Sequence, residues 1–373
     1  MKKRFFSAPG RIEVGGNHTD HQNGCVLAAA IDLEATCSAM PNDTNIVNIE
    51  NKQYGSISVD LSDLSIRDDE KESSTAIVRG VATWFKDRGH PIGGFDASIS
   101  SNIPAGSGLS SSAAFEVLIG NVFKGLYGAD VSPLDIALAG KFAENVYFGK
   151  PSGLMDQAAS SFGGFNMIDF KDPENAIITP ITADLSGYTI CVVATGGSHA
   201  DLTHEYASIP EEMKTVATHF GKDFLRDVPI EEFYAQISGL LHLSDRAILR
   251  SIHYFEDHKR VKKQAHALQS GDIKTFLELI NESGRSSLAY LQNVYTNASP
   301  HEQRITLALA LSEKILDGNG ACRVHGGGFA GTILAFIPDE LKSAYDTQMS
   351  KVFGNNSCHF LNIRKEGGHE VRD

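Results

Sequence analysis

Four short segments concentrate the residues able to do chemistry. Asn102–Phe115 reads N-I-P-A-G-S-G-L-S-S-S-A-A-F. Glycines let such a loop turn its backbone N–H groups toward one centre. A helix starting directly behind it adds the positive end of its dipole, so the arrangement suits phosphate. A serine hydroxyl of the loop can in addition ligate Mg²⁺. The loop lacks the Gly-Lys-Ser/Thr ending of a Walker loop and the last glycine of a dinucleotide fingerprint, so it is neither. Pro9–Gly24 gathers Arg11, Asn17, His18, Asp20 and His21 around a Gly15-Gly16 turn. Carboxylate, amide and imidazole together suit the hydroxyls of a sugar or polyol better than a metal, since structural zinc takes four ligands and commonly cysteine. Glu144–Gly164 carries Glu144 and Asp156, the latter isolated among small and apolar residues. An acid so placed serves either as a general base or charge stabiliser, or as a first-turn helix aspartate. Arg323–Gly331, R-V-H-G-G-G-F-A-G, matches G-x-G-x-x-G formally, yet a strand follows where a dinucleotide site needs a helix. It reads as backbone that must closely approach a ligand or a neighbouring loop, with His325 structural.

The elements that must hold these segments are legible from periodicity. Phe95, Ala97 and Ile99 alternate with polar residues, so a half-buried strand leads into the glycine-serine loop. Phe115, Leu118, Ile119, Val122 and Leu126 follow at helical spacing, closed by Gly128. Ser132-Pro133-Leu134-Asp135 opens a second helix with a cap, a first-turn proline and a reciprocal acid, and this helix runs to Phe148 before Gly149. A short helix starts near Leu154. Residues 44–60 alternate weakly, as strands near a sheet edge do, and Ile177–Thr195 reads as paired strands. Glu211–Leu316 is mostly helical, and Thr332–Ile337 is a strand. Strands dominate early and helices late. The expectation is an α/β (α+β) protein of two lobes, residues 1–180 and 181–373.

Bulk composition limits the partners. The 373 residues carry a formal charge of −13, with 42% hydrophobic and 21% charged residues. That excess of negative charge argues against nucleic acid as partner, but local N–H groups and Mg²⁺ can still hold a small phosphorylated ligand. Five scattered cysteines without a C-x-x-C favour a reducing compartment. The N-terminus reaches Pro9-Gly10-Arg11 too soon for a signal-peptide core, and no run is long enough to span a membrane, so the expected compartment is cytoplasmic.

Taken together, the four segments resemble the motifs of the GHMP small-molecule kinases, and among them the galactokinases. The galactokinase pattern G-R-x-N-L-I-G-E-H-T-D-Y corresponds to Gly10–His21, P-x-G-x-G-L-S-S-S-A to Pro104–Ala113, G-x-P-C-G-I-M-D-Q to Gly149–Gln157, and T-G-G-G-F-G-G to His325–Gly331. The resemblance implies transfer of the γ-phosphoryl of MgATP to the anomeric hydroxyl of a galactose-like sugar. It implies that Gly106, Ser107, Gly108, Leu109, Ser110, Ser111 and Ser112 line the triphosphate, and that Ser112 and Glu144 hold Mg²⁺. Asp156 would be the base or stabiliser at the sugar hydroxyl, with Arg11 stabilising transition-state charge and keeping Asp156 ionised. Asn17, His18, Thr19, Asp20, Gly153 and Tyr206 would bind the sugar. A monomer or weak homodimer is expected, working on two small molecules. No segment identifies an adenine pocket.

One departure bears on the substrate. Asn17 stands where the galactokinase pattern has glutamate, which in the family faces C6 of the sugar. A neutral amide there removes a charge that would repel a C6 carboxylate, and D-H-Q-N-G resembles the D-H-Q-G-G of plant galacturonate kinases. Galactose is the expected substrate and galacturonate, or another C6-modified sugar, the alternative, with Asn17→Glu expected to push preference toward galactose. A non-catalytic sensor on the same fold is the alternative of another class. Sensors of that kind lack two residues of the Ser-Ser-Ala-Ala stretch, whereas Ser111–Ala114 keeps all four. A nicotinamide oxidoreductase would rest only on the misplaced glycine pattern.

Overall fold

The computed structural model describes residues 2–51, 55–104, 106–196 and 202–372, so Ala105 of the glycine-serine loop lies outside the described residues. The strands are β1 (Arg4–Gly15), β2 (Cys25–Pro41), β3 (Ile46–Asn51), β4 (Gly55–Asp60), β5 (Phe95–Ser101), β6 (Phe165–Asp169), β7 (Ile177–Ile181), β8 (Tyr188–Ala194), β9 (Ala321–His325), β10 (Thr332–Pro338), β11 (Cys358–Leu361) and β12 (His369–Val371). The α-helices are α1 (Ser74–Asp87), α2 (Ser111–Tyr127), α3 (Pro133–Phe142), α4 (Met155–Phe162), α5 (Thr203–His219), α6 (Ile230–Ala235), α7 (Asp245–Ser270), α8 (Ile273–Ser286), α9 (Arg304–Leu316) and α10 (Lys342–Phe353).

Two sheets organise the molecule. The first runs β12-β1-β2-β5-β3-β4, with β6 pairing β2 and β7 pairing β6; the second runs β11-β8-β10-β9. β2 is long enough to serve two partners on one edge, pairing β6 through Cys25–Ala29 and β5 through Ala35–Pro41. Its other edge pairs β1, with irregularities at Gly10 and Val14. Such bulges re-aim side chains. At Gly10 the bulge also admits a neighbouring loop, because a Cβ there would lie 2.8 Å from the carbonyl oxygen of Leu109. That carbonyl accepts the Arg11 N–H at 3.1 Å. The glycine-serine loop is thereby fastened to β1.

Helix ends follow local chemistry. Ser132 and Asp135 form the reciprocal capping box of α3, and Pro133 occupies its first turn. α3 then continues into a π turn, Ala143–Phe148, closed by Gly149 in the left-handed conformation. Such wide turns cluster at functional sites, and this one carries Glu144. One apolar core, including Phe6, Val117, Phe123, Val261, Phe276, Leu334 and Phe336, joins both sheets and the long helices.

Three features differ from the sequence-based expectation. The paired strands expected over Ile177–Thr195 separate: β7 pairs with β6 in the first sheet, while β8 pairs with β10 and β11 in the second. Both segments are apolar enough to be strands, and periodicity carries no information about the partner. α2 begins at Ser111, one turn before its first large apolar residue, because the loop closes directly into the helix. The chain also returns to the first sheet at its end, β12 pairing β1. Among the described residues no helix is long and apolar enough to cross a membrane.

Candidate active site

The bulged end of β1 aims Arg11 at the first turn of α4. Its Nε and Nη2 donate to Oδ1 and Oδ2 of Asp156, each at 2.7 Å, and its Nη1 donates to the Gly108 carbonyl at 2.6 Å. Arg11 is buried, while the Asp156 side chain keeps 31% of its surface exposed, so the carboxylate remains reachable from the cleft. The Ser110 hydroxyl donates to Oδ2 of the same carboxylate. Burial works to raise the Asp156 pKa; the Arg11 guanidinium, its hydrogen bonds, the Ser110 hydroxyl and the Lys150 charge outweigh it and hold the group below the usual carboxylate range.

The glycine-serine loop has positive φ at every second residue, Gly106, Gly108 and Ser110. Alternation of this kind turns successive N–H groups to one side. The N–H groups of Gly108, Leu109 and Ser110 find no acceptor among the described residues. The side chains behave otherwise. Ser107 donates its hydroxyl to the Pro104 carbonyl at 2.6 Å, and Leu109 is buried in the core. Ser110 adopts a strained left-handed conformation and gives its hydroxyl to Asp156 instead of capping α2. What these three can offer a ligand is backbone.

Ser111 and Ser112 begin α2 and line a cavity of about 240 Å³ together with Glu116, Glu144, Ile77, Ile99, Phe115 and Phe148. Mixed aliphatic, aromatic and hydroxyl lining at the end of a phosphate-type loop suits a flat heterocycle with a polar edge. Glu144 accepts from Lys150 Nζ at 3.0 Å on Oε1 and from Gln157 Nε2 at 2.9 Å on Oε2. Gln157 donates its other hydrogen to Glu116 at 2.8 Å. Burial, then the nearby Glu144 charge, pushes Glu116 well above the ordinary carboxylate value.

In the turn after β1, Asn17 and Thr19 are both fully buried. The Asn17 amide donates to Glu13 and to the Gly326 carbonyl, each at 2.8 Å, and its oxygen accepts from Asn293 at 2.8 Å and Ser287 at 3.3 Å. Thr19 donates toward the carbonyls of Gly16 and Cys25 at 2.9 and 2.7 Å, bracing the turn. The side-chain polar atoms of both residues are hydrogen-bonded inside the protein. Around them the other residues cluster. The His18, His21 and Tyr206 rings stand 5.1–5.6 Å apart, and His21 Nε2 lies 3.0 Å from the Tyr206 hydroxyl. Asp20 abuts Gly153, where a Cβ would fall 1.9 Å from Oδ2. Gly327 packs on the Tyr206 ring, and its carbonyl meets His18 Nε2 at 3.0 Å. The close backbone approach expected of Gly326–Gly331 is thus toward Asn17, His18, Tyr206 and Asn293. His325 bridges the Glu13 N–H and the Thr332 hydroxyl, each at 3.1 Å, which is a structural role.

Comparison with known proteins completes the picture. Residues 76–164 match the family model described as the GHMP kinases N terminal domain, and residues 1–41 match the galactokinase galactose-binding signature. The crystal structure of Lactococcus lactis galactokinase complexed with galactose superposes with a TM-score of 0.86 at 25% identity, over 100% of this chain and 95% of that one. By these matches the chain is similar to the GHMP kinases over residues 76–164 and is a galactokinase-like sugar kinase. Methanococcus jannaschii mevalonate kinase matches with a TM-score of 0.69 at 14% identity, covering 97% of this chain and 98% of its own. A D-glycero-D-manno-heptose 1-phosphate kinase from Bacteriodes thetaiotaomicron matches with a TM-score of 0.66 at 17% identity, covering 100% and 99%. At these identities the likeness is one of fold.

Sequence reasoning missed the residues that support the kinase site from behind. Asp257 accepts the N–H groups of Gly16 and Asn17, both at 3.1 Å, and His253 meets the Asn17 carbonyl at 3.0 Å. Glu13 pairs with Arg323 at 2.8 Å, both buried. Glu116 had one signal, an acid inside an otherwise apolar helical stretch. Glu13 had another, since the galactokinase pattern has asparagine at its position. Asp257 and His253 had none, because α7 reads as an ordinary amphipathic helix.

The buried histidines make the kinase sensitive to acid. Burial holds His18, His253 and His325 below the ordinary imidazole value; burial, then the Arg226 charge, brings His258 down to about 4. The unfolded chain takes up these protons near pH 6.5, the folded kinase only at lower pH. The stability gained by keeping them neutral is complete above about pH 6.5 and is lost as pH falls toward 4. Each adds to the slope in the part of that window it spans, by no more than about 1.4 kcal/mol per pH unit. Thermal unfolding is expected to show a steadily falling midpoint from pH 7 to 5; a midpoint flat over that range would contradict it.

Proposed function

We propose that the protein transfers the γ-phosphoryl group of ATP to the anomeric hydroxyl of galactose, giving galactose 1-phosphate. The observation that carries this reading is the Arg11–Asp156 pair, which joins the galactose-binding signature to the carbonyl and serine of the phosphate-type loop. Phosphoryl transfer needs alignment and charge neutralisation more than covalent help. In this reading the Gly106–Ser112 backbone cradles the triphosphate, and the cavity beside Ser111 and Phe115 takes the nucleoside. Asp156 stays ionised beside Arg11, orients the anomeric hydroxyl and receives its proton as the new P–O bond forms and the bond from the γ-phosphorus to the β–γ bridging oxygen breaks, releasing ADP. Arg11 offsets the charge on the transferring group. Asp20, His18, His21, Gly153 and Tyr206 surround the sugar.

Mg²⁺ fits the donors at hand. Among the described residues no group of three or more His, Cys, Asp or Glu is arranged to hold a metal. A hard cation carried by phosphates needs only one or two protein oxygens, and Ser112 and Glu144 line one cavity. Bound there, it would neutralise phosphate oxygens during transfer.

The cations near the cleft favour galactose over galacturonate. Arg11 pairs with Asp156, Lys150 with Glu144 and Arg323 with Glu13. A C6 carboxylate would find Arg11 and Arg323 committed to their partners and would enter a site that already carries the Asp20 and Asp156 carboxylates. Asn17, buried behind the turn, no longer argues for the uronate. The decisive experiment is a screen of hexoses, pentoses and uronic acids for ATP-dependent phosphorylation, with the phosphorylated carbon identified. Galactose phosphorylated at C1 is expected. Galacturonate turnover far above that of galactose would replace the substrate, and the absence of sugar-dependent ATP consumption would leave a sensor.

Gly153→Ala probes the sugar side separately. The new Cβ would displace the Asp20 carboxylate from its position 1.9 Å away. Loss of one charged hydrogen bond to a hydroxyl is expected to raise the sugar KM by about 10-fold or more, with the ATP KM little changed. Equal effects on both substrates would count against Asp20 as a sugar ligand.

A further inference from the structure

Glu116 lies one helical turn after Ser112, on the same face of α2, and is almost fully buried. Its Oε2 accepts from Gln157 Nε2 at 2.8 Å, and its Oε1 has no partner among the described residues. A buried carboxyl group bonded only to one amide is not explained by packing, which an apolar side chain would serve at lower desolvation cost. Gln157, fully buried and adjacent to Asp156 on α4, uses its second hydrogen on Glu144 Oε2 at 2.9 Å. The neighbouring helix is shaped to admit this contact. Gly140, inside α3, would place a Cβ 3.0 Å from Glu116 Oε2 and 3.1 Å from Gln157 Cγ. Glycine within a helix costs about 1 kcal/mol relative to alanine, so α3 gives up stability to make that space.

Glu144 is therefore held differently on its two oxygens. Oε2 is fixed from the interior by Gln157. Oε1 faces Lys150, whose side chain is 58% exposed and can move away. We propose that Glu116, acting through Gln157, is a positioning residue that fixes the Glu144 carboxylate for the divalent cation of the nucleotide. This inference rests on the nucleotide reading given above. Partners that orient a metal-binding carboxylate without touching the metal commonly change metal affinity by about 10- to 100-fold.

The test measures binding, not turnover. Mn²⁺ affinity in the presence of a non-hydrolysable ATP analogue is followed by electron paramagnetic resonance for the wild type, Glu116→Leu and Glu116→Gln, with sugar affinity measured alongside. Leucine fills the space but offers no acceptor; glutamine restores one. Glu116→Leu is expected to weaken Mn²⁺ binding by about 10-fold or more and Glu116→Gln by less than about 3-fold, with sugar affinity unchanged in both. Should Glu116→Leu not fold, Gln157→Met removes the amide itself and is expected to give the same loss. Mn²⁺ affinity in a folded Glu116→Leu or Gln157→Met variant equal to wild type overturns the positioning role while leaving the nucleotide site in place. A wild type that does not bind Mn²⁺ with the analogue overturns the nucleotide reading, and the inference with it.

Discussion

Asp156→Asn is expected to lower kcat for sugar phosphorylation by about 10³-fold, within the range removed when a positioned proton acceptor is lost. The amide keeps the shape of the side chain but not its charge. Three groups now converge on the carboxylate: both Arg11 nitrogens at 2.7 Å and the Ser110 hydroxyl. With asparagine, one of those donors meets an NH₂ group, and the buried guanidinium loses its counter-charge. Leaving a buried charge unpaired costs about 3–5 kcal/mol when the site is fully enclosed; here the exposed side of Asp156 and the Gly108 carbonyl reduce that. The variant should therefore fold with a lowered midpoint and still bind nucleotide. Ser110→Ala, which removes only one donor, is expected to cost far less in kcat. Steady-state kinetics at saturating sugar and ATP decide the matter: an Asp156→Asn enzyme within about 10-fold of wild type would leave the carboxylate without a role in the proton transfer.

Asn17→Glu is expected to destabilise the protein by about 3–5 kcal/mol before it alters sugar preference, because it places an uncompensated charge in a buried site. Asn17 donates to the Glu13 carboxylate and to the Gly326 carbonyl. Glutamate would replace both donors with a charge facing an acid and a carbonyl oxygen. Glu13→Asn is expected to cost a similar amount for the mirror reason, since the fully buried Arg323 would lose its partner at 2.8 Å. The double exchange, Glu13→Asn with Asn17→Glu, restores one acid and one amide in hydrogen-bond reach of each other. It also reproduces the order found in the galactokinase pattern, asparagine first and glutamate four residues later. Residues in contact couple by about 0.5–3 kcal/mol, so the double variant should be more stable than the sum of its parts by about 2 kcal/mol. Urea unfolding of the four proteins measures this directly, and strict additivity would mean that the two positions do not share a network. Sugar preference in a folded Asn17→Glu protein should stay as in wild type, contrary to what the position in the motif suggests.

The sequence by itself determined the chemistry available and its local carriers. The loop between a half-buried strand and a helix, the polar turn at Gly15-Gly16, the capped helix leading to Glu144 and the isolated Asp156 all follow from residue type and spacing. These are short-range properties, fixed by backbone freedom, capping and the period of apolar residues. Tertiary structure alone decided which polar groups face the cleft and which face inward. Asn17 and Thr19 lie in the same motif as Asp20, yet Glu13, Gly326 and Asn293 hold the first in the interior and the carbonyls of Gly16 and Cys25 the second. Ser110 belongs to the phosphate-type loop, yet its left-handed backbone sends its hydroxyl to Asp156. Glu116 and Gln157 are 41 residues apart and meet only because α2 and α4 pack together. Burial and partner choice are properties of three-dimensional neighbours. A motif names residues one after another and carries no term for what lies across from them.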